Sequence, residues 1–386
     1  MLARSCWSCV RFRRRQTALR VNLSGLLFLL LLTLPVVVVA EELPVAEASG
    51  HQLSDGTFTN TDGQAINKSL GDLWRAFAGK EKPQAVALPV SQVDPEALRH
   101  PTQSQMVWLG HSTFLLQLGD RTILTDPQFS RRASPVFFAG PERVTGLPLD
   151  PSDLPQIDAV VISHNHYDHL DTASVKALRI RQPDNPPHFF VPLGLADWFR
   201  DRGIPEVTEL DWWQSATLGD TRFYAVPVKH WSARGLFDRN RTLWAGWVMD
   251  SPGQRLMHVG DSGYSDDFRR IGECFPGIDM ALIPIGAYDP RWFMKDAHMN
   301  PEEAVQVFQD MGAVQAVGMH WGTFILTFEA MTEPPQRLHR AVTEAGLAAD
   351  RFTVMQPGEI RGLSSAGEPA DPVCDITPVM VDDGFR

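Results

Sequence analysis

The sequence predicts an α/β protein built on two mixed sheets with helices outside them. Three observations carry this. Short apolar runs rich in β-branched and aromatic residues recur from residue 105 onward, often bounded by glycine turns. Helical segments with recognisable caps fall between these runs. Polar side chains collect just beyond the run ends, which is where layered folds assemble their sites.

Residues 106–109 read as a strand ended by Gly110-His111. Residues 113–118 read as another, closed by a Gly119-Asp120 hairpin turn. Residues 121–125 pair back and deliver Asp126-Pro127. Residues 158–163 read as a buried strand, because Val160, Val161 and Ile162 suit a pleat covered on both faces. Asp171 caps a helix over 172–180. A strand at 188–191 and a helix at 195–202, closed by Gly203, follow. Strands at 207–210 and 222–228 come next, and the second delivers Lys229-His230-Trp231. Strands at 243–249 and 255–259 lead to Gly260-Asp261. The strand at 280–284 delivers Ile285-Gly286-Ala287-Tyr288. Asn300, Pro301 and Glu303 form a capping box that opens a helix. The strand at 313–318 leads to His320. A helix at 335–345, ended by Gly346, and strands at 352–356 and 359–362 complete a domain over 105–363. Residues 364–386 read as a loop-like tail, and residues 41–104 as an arm with a short helix at 71–77 that packs on the domain.

Residues 1–40 are a separate object. A basic leader over 1–22 carries Arg4, Arg11, Arg13, Arg14, Arg15 and Arg20. Residues 23–40 are uncharged and apolar, 18 residues long, and end in Val38-Val39-Ala40 before Glu41. This is the pattern of an export signal, and the run is also long enough to stay as a membrane anchor. Either way the arginines stay in the cytoplasm and the body crosses. The expected location is therefore periplasmic or membrane-anchored.

The whole chain has 35 basic and 46 acidic residues. Without the six leader arginines, 29 basic residues face 46 acidic ones, a formal charge of −17. An acidic body is a poor partner for a nucleic-acid backbone. Cys6 and Cys9 sit in the leader. Cys274 and Cys374 lie in the body, where an oxidising compartment would allow a disulfide.

The most informative stretch is His164-Asn165-His166-Tyr167-Asp168-His169, directly after the apolar run. A lone histidine is usually a satisfied core or surface residue. Four metal-competent side chains in six residues at a strand end need a shared partner. Imidazole and carboxylate together suit a borderline dication such as Zn²⁺, and also accept Mn²⁺ or Fe²⁺. His164 and His166 share strand parity and point to one side, while Asp168 and His169 follow the turn. That geometry favours two adjacent metals. Other strand ends deliver Asp126, His230, Asp261 and His320 in turn. Two close dications need a bridging carboxylate, and Asp261, between Gly260 and Gly263, suits that role.

The order and spacing resemble the metallo-β-lactamase superfamily over residues 105–363. The supporting segments are Gly110-His111-Ser112-Thr113, Thr125-Asp126-Pro127, 163–170, Lys229-His230-Trp231-Ser232, Gly260-Asp261-Ser262-Gly263, 283–288 and His320-Trp321-Gly322-Thr323. The flanking segments most resemble the phospholipases D that hydrolyse N-acylphosphatidylethanolamine. The resemblance implies a four-layer αβ/βα sandwich. It implies one zinc on His164, His166 and His230, a second on Asp168, His169 and His320, and Asp261 bridging them. It implies that Asp126 orients a ligand histidine and that His298 lies near the phosphate. Aspartate at 261, where antibiotic-hydrolysing relatives can have cysteine, points away from that branch.

The expected chemistry is hydrolysis. Water between two zincs ionises near pH 7, from about 15.7 in bulk, and attacks phosphorus or a carbonyl. Asp168 and Asp261 would take part as ligands, Asp168 also as a proton relay. The substrate would be a phospholipid beside a membrane, or alternatively a small cyclic ester of the lactone type. A long apolar channel favours the first and a small polar pocket the second. A nuclease is disfavoured by charge, and a non-catalytic membrane-associated binding module by the complete ligand set.

Overall fold

The computed structural model describes residues 51–364 and 367–381. The leader, the apolar run at 23–40, Cys6 and Cys9 lie outside these residues. No helix among the described residues is long and apolar enough to cross a membrane.

Two mixed sheets carry the fold. Edge to edge, the first runs Ile360–Gly362, Gln105–Gly110, Thr113–Leu118, Arg121–Thr125, Ala159–Val161, His188–Pro192 and Val207–Leu210. Its hairpin strands are antiparallel, and its last four strands are parallel. The second runs Phe352–Val354, Gln315–Met319, Met280–Pro284, Gln254–His258, Gly246–Ser251, Thr221–Val226, Gln214–Leu218 and Thr377–Pro378. Its first four strands are parallel, and its hairpins are antiparallel.

Strand alternation explains why the sheets stack. Met106, Trp108, Phe114, Leu116, Val161 and Phe190 join one buried cluster, which also takes in the second sheet. Their neighbours Val107, Leu109, Leu115, Val160 and Phe189 join another, with Val175 and Leu178 of the helix Thr172–Arg181. One face of the first sheet therefore meets the second sheet, and the other meets helices. The helices Asp267–Cys274, Pro301–Met311 and Glu333–Glu344 add apolar faces to the cluster of the second sheet. The sandwich expected from the sequence is this arrangement of two mixed sheets with helices.

Several elements differ from the sequence reading. The strand predicted over 158–163 is only Ala159–Val161. The Ser163 amide turns out of the ladder to donate to Asp126 Oδ1 at 2.7 Å. The helix predicted over 195–202 is Ala196–Arg200, with no side-chain cap at Leu195. The strand Gln214–Leu218 and the helices Asp267–Cys274 and Arg291–Met294 were not expected. Gly272 makes Asp267–Cys274 a poor helix by propensity. Its place is explained by packing, since a Cβ there would lie 2.6 Å from the Met311 carbonyl oxygen.

The tail is also not the loose loop expected. Cys374 is disulfide-bonded to Cys274, 100 residues earlier. Thr377–Pro378 pairs in parallel with the edge strand Gln214–Leu218. Among residues 51–104, Phe58, Ile66, Val93 and Leu98 are buried. The Ser91 amide donates to the Pro357 carbonyl, and the Val93 amide to that of Pro148.

A covalent loop of this length restricts the unfolded chain strongly. Cys374→Ser should therefore lower unfolding free energy by about 2–5 kcal/mol in denaturant titrations. An unchanged midpoint would show that the tail adds nothing to stability.

Candidate metal centre

The parallel strands of both sheets end on one side of the molecule, and the loops that leave them converge there. Arg121–Thr125 leads to Asp126, and Ala159–Val161 to the segment 163–169. Thr221–Val226 leads toward His230, Gln254–His258 to Asp261, and Gln315–Met319 to His320. Gly260 makes the approach of the two sheets possible. Its φ is +68°, and a Cβ would lie 2.6 Å from the Ser163 Cβ.

The seven expected ligand residues come together. His164 Nε2 lies 2.8 Å from His166 Nδ1, and His230 Nε2 lies 3.3 Å from the same atom. Nitrogen lone pairs this close need a proton or a cation between them. His169 Nε2 is 3.1 Å from Asp261 Oδ2, and His320 Nε2 is 3.1 Å from Asp261 Oδ1. Asp168 Oδ2 is 3.6 Å from His169 Nε2 and 3.5 Å from His320 Nε2. Asp261 Oδ2 also stands 4.0 Å from His164 Nε2 and 3.9 Å from His230 Nε2. Asp261 thus faces both halves of the cluster with its two oxygens.

The donor set fits divalent ions. His164, His166 and His230 form one group with ligand geometry, and His169, His320 and Asp168 form another, which also takes in His111. Asp261 Oδ1, His320 Nε2 and His298 Nδ1 are buried without a hydrogen-bond partner. Buried polar atoms are rarely left so, and several aimed at one point indicate a missing partner. Other ring nitrogens are fixed by hydrogen bonds. His230 Nδ1 donates to the Ala297 carbonyl at 3.0 Å, leaving Nε2 bare toward the centre. Burial and neighbouring imidazoles push His164 well below its usual range, and burial brings His166 down to about 4. Both rings are neutral at pH 7. Burial also opposes protonation of His169 and His320. Nearby carboxylates, Asp261 foremost, outweigh it, holding His169 well above its usual value and His320 up to about 9.

Behind the centre, Asp126 is wholly buried. His169 Nδ1 donates to its Oδ2 at 2.8 Å. The loop Phe58–Asn60 contributes too, since Asn60 Oδ1 accepts from the His230 amide and from Trp244 Nε1, both at 3.0 Å. His298 faces the centre, with Nδ1 3.8 Å from Asp261 Oδ2 and the side chain 12% exposed. It is not a free surface histidine. Tyr167 lines the adjoining cavity, whereas the Tyr288 hydroxyl donates to Glu333 at 2.9 Å and is engaged elsewhere.

The sequence reading missed two histidines. His111 Nε2 lies 3.1 Å from Asp168 Oδ2, and its ring packs 4.0 Å from that of His320. His258 Nε2 lies 3.0 Å from Asp126 Oδ2. His111 has φ +55°, and Asp126 and His320 are also in the left-handed region. Non-glycine residues held there often mark functional turns. In the sequence, His111 stood only as part of the Gly110-His111-Ser112-Thr113 segment after a strand end, with no role assigned to it. His258 lies inside an apolar strand and gave none.

A cavity of about 420 Å³ opens beside the cluster. His166, Asp168, Asp261 and His298 line one part of it. Ile66, Leu73, Phe77, Phe293, Met294 and Leu326 line another, with Trp231, Lys68 and Arg239. Of the aromatic residues clustered near the motifs in sequence, Trp212, Trp244, Trp247, Trp321 and Phe324 are buried core. Trp231 and Phe293 face the cavity.

Comparison with known proteins agrees with this geometry. Residues 121–321 match the family described as the beta-lactamase superfamily domain. An N-acyl-phosphatidylethanolamine-hydrolyzing phospholipase D 1 of Caenorhabditis elegans is 40% identical over 285 residues, 71% of this chain and 80% of that protein. A metal-dependent hydrolase of Pyrobaculum aerophilum is 30% identical over 259 residues, 66% of this chain and 98% of that protein. Among solved structures, Igni18, a metallo hydrolase from Ignicoccus hospitalis, shares the fold. Its TM-score is 0.51 at 23% identity, covering 67% of this chain and 98% of that one. On sequence and on fold alike, the chain belongs to the metallo-β-lactamase superfamily and is a metal-dependent hydrolase.

Proposed function

We propose that the chain is a dinuclear zinc phosphodiesterase of phospholipase D type, acting on N-acylphosphatidylethanolamine-like lipids at a membrane surface. The cavity carries this reading. It joins metal-competent side chains to a largely apolar slot, as a diacyl or N-acyl substrate requires. A lactone would need a small polar pocket. The similarity to a phospholipase D that hydrolyses N-acylphosphatidylethanolamine supports the same substrate class.

In this reading His164, His166 and His230 would hold one zinc, Asp168, His169 and His320 would hold the other, and Asp261 would serve both. Zinc held there would supply a water ionised near neutral pH and would offset negative charge on oxygen. The chain does the rest. His298, at the cavity wall, donates to a phosphoryl oxygen. Burial lowers its ring to about 4, so at pH 7 it is a neutral donor. Asp168 faces the cavity and relays the proton. The aliphatic and aromatic wall orients acyl chains and excludes water.

Export and membrane contact belong to the same reading. The basic leader with its apolar run supports them, and so does the Cys274–Cys374 disulfide, which fits an oxidising compartment. Segments around the cavity carry exposed apolar side chains. Phe137 is 90% exposed and Phe237 93%, with Trp74 at 74%. Arg131 and Arg132, in the same loop as Phe137, are paired with Glu142. The apolar tips, not those arginines, are the lipid-facing groups of this proposal.

Asp261→Asn should reduce bound metal at both positions. Its effect should exceed the roughly 10- to 100-fold typical of losing a group that merely orients a ligand. Metal analysis of the purified chain decides this, and loss of only one ion with catalysis intact would end the bridging role. His298→Ala should lower turnover of phosphodiesters by roughly 100-fold, as for other transition-state donors, while metal content stays full. Equal losses of metal and activity would remove it from the substrate contacts. Assays on N-acylphosphatidylethanolamine, phosphatidylcholine and lactone panels test the substrate class. Phe77→Ser should weaken long-chain substrates more than short-chain ones. Preferential lactone hydrolysis would replace the phospholipase reading.

A further inference from the structure

We infer that His258 is a positioning residue, which holds the Asp126 carboxylate and through it aligns histidines of both metal-binding groups. The inference rests on the metal reading above and adds a residue that neither the motif nor the ligand set includes.

His258 closes the strand Gln254–His258 in the middle of the second sheet, paired with Trp247 on one side and Leu282 on the other. It is fully buried among apolar neighbours. An imidazole there loses hydration that leucine or phenylalanine would not lose. One hydrogen bond offsets this: Nε2 donates to Asp126 Oδ2 at 3.0 Å. Nδ1 is left without a partner. Asp126 is an acceptor only, so Nε2 must carry the proton.

The bond crosses between sheets. Asp126 follows the strand Arg121–Thr125 of the first sheet, so His258 grips it from the second. Two more bonds cross nearby, from Trp247 Nε1 to the Ile162 carbonyl at 2.9 Å and from the Ala245 amide to the Ser163 carbonyl at 2.9 Å.

Asp126 distributes this constraint. Its Oδ2 accepts from His169 Nδ1 at 2.8 Å and from Ser163 Oγ at 2.7 Å. Ser163 Oγ in turn lies 2.9 Å from His164 Nδ1. His169 belongs to one metal-binding group and His164 to the other. With Nδ1 occupied in each ring, Nε2 is presented to the centre. Removing the His258 donor leaves Asp126 one fewer fixed contact and lets both imidazoles turn.

The test is zinc affinity of the full chain by competitive chelator titration. His258→Leu should weaken zinc binding by roughly 10- to 100-fold, the range for groups that orient metal ligands. His258→Gln, whose amide nitrogen sits near the position of Nε2, should recover most of it. Asp126→Asn combined with His258→Leu should be no worse than Asp126→Asn alone, because both act through one carboxylate. Unchanged affinity in the leucine variant would overturn the inference. So would glutamine as weak as leucine, or additive losses in the double variant, since both describe packing. If the leucine variant fails to fold, glutamine against asparagine decides, because asparagine places its amide nearer Nδ1. Equal affinities of those two would overturn the positioning role. A wild-type chain that binds no zinc defeats the metal reading itself, and that is seen before any variant is compared.

Discussion

The organising constraint is the burial of several imidazoles and carboxylates around Asp261. Such groups are stable together only if charge is balanced at short range and every lone pair has a use. Asp261 sits where two sets of histidines meet: its Oδ2 faces His169 of one set and His164 and His230 of the other, and its Oδ1 faces His320. The surrounding imidazoles, His169 foremost, overcome the effect of burial and hold its carboxyl well below the usual range. The proposed cations would complete that balance. Much of the local backbone serves this arrangement, including Gly260, the left-handed turn at His320, and the departure of Ser163 from its ladder.

The layers outside the centre repeat one design. Two carboxylates, Asp168 and Asp126, are each met by a histidine that is not among the proposed ligands. His111 stands at Asp168, and His258 at Asp126. The first follows the strand Gln105–Gly110 of the first sheet and the second ends a strand of the second sheet, so alignment of the centre depends on how the sheets pack. Large apolar side chains such as Trp108, Trp244 and Trp247 fill the space between them and make that packing rigid.

Local chemistry decided what could be read from the sequence. The strands ending in His164, Asp261 and His320 were legible because β-branched runs stop at side chains with no reason to sit beside a core. The capping box at Asn300 and Glu303 was legible because both halves lie within four residues. Gln214–Leu218 escaped because its polar alternation matches a loop until it is paired on both sides. Asp267–Cys274 escaped because its glycine is explained only by a partner helix. The role of His258 is set by a residue 132 positions away, and nothing near it in sequence indicates that. The seven expected ligands and Asp126 were legible by type, order and resemblance, whereas His111, His258 and Asn60, which hold them in place, required three-dimensional contacts.

The family match begins at residue 121, yet Asn60, Ile66, Lys68, Leu73 and Phe77 precede it. Asn60 braces the His230 backbone, and the other four form wall of the cavity. Part of the cavity wall is thus encoded outside the stretch that carries the cluster, while Trp231, Phe293 and Met294 supply more of it from within. A lineage could reshape that outside part of the wall by rewriting a short N-terminal passage, leaving the side chains of the cluster untouched. A fragment trimmed to residues 121–321 would keep the seven expected ligands while losing both the brace and that part of the wall.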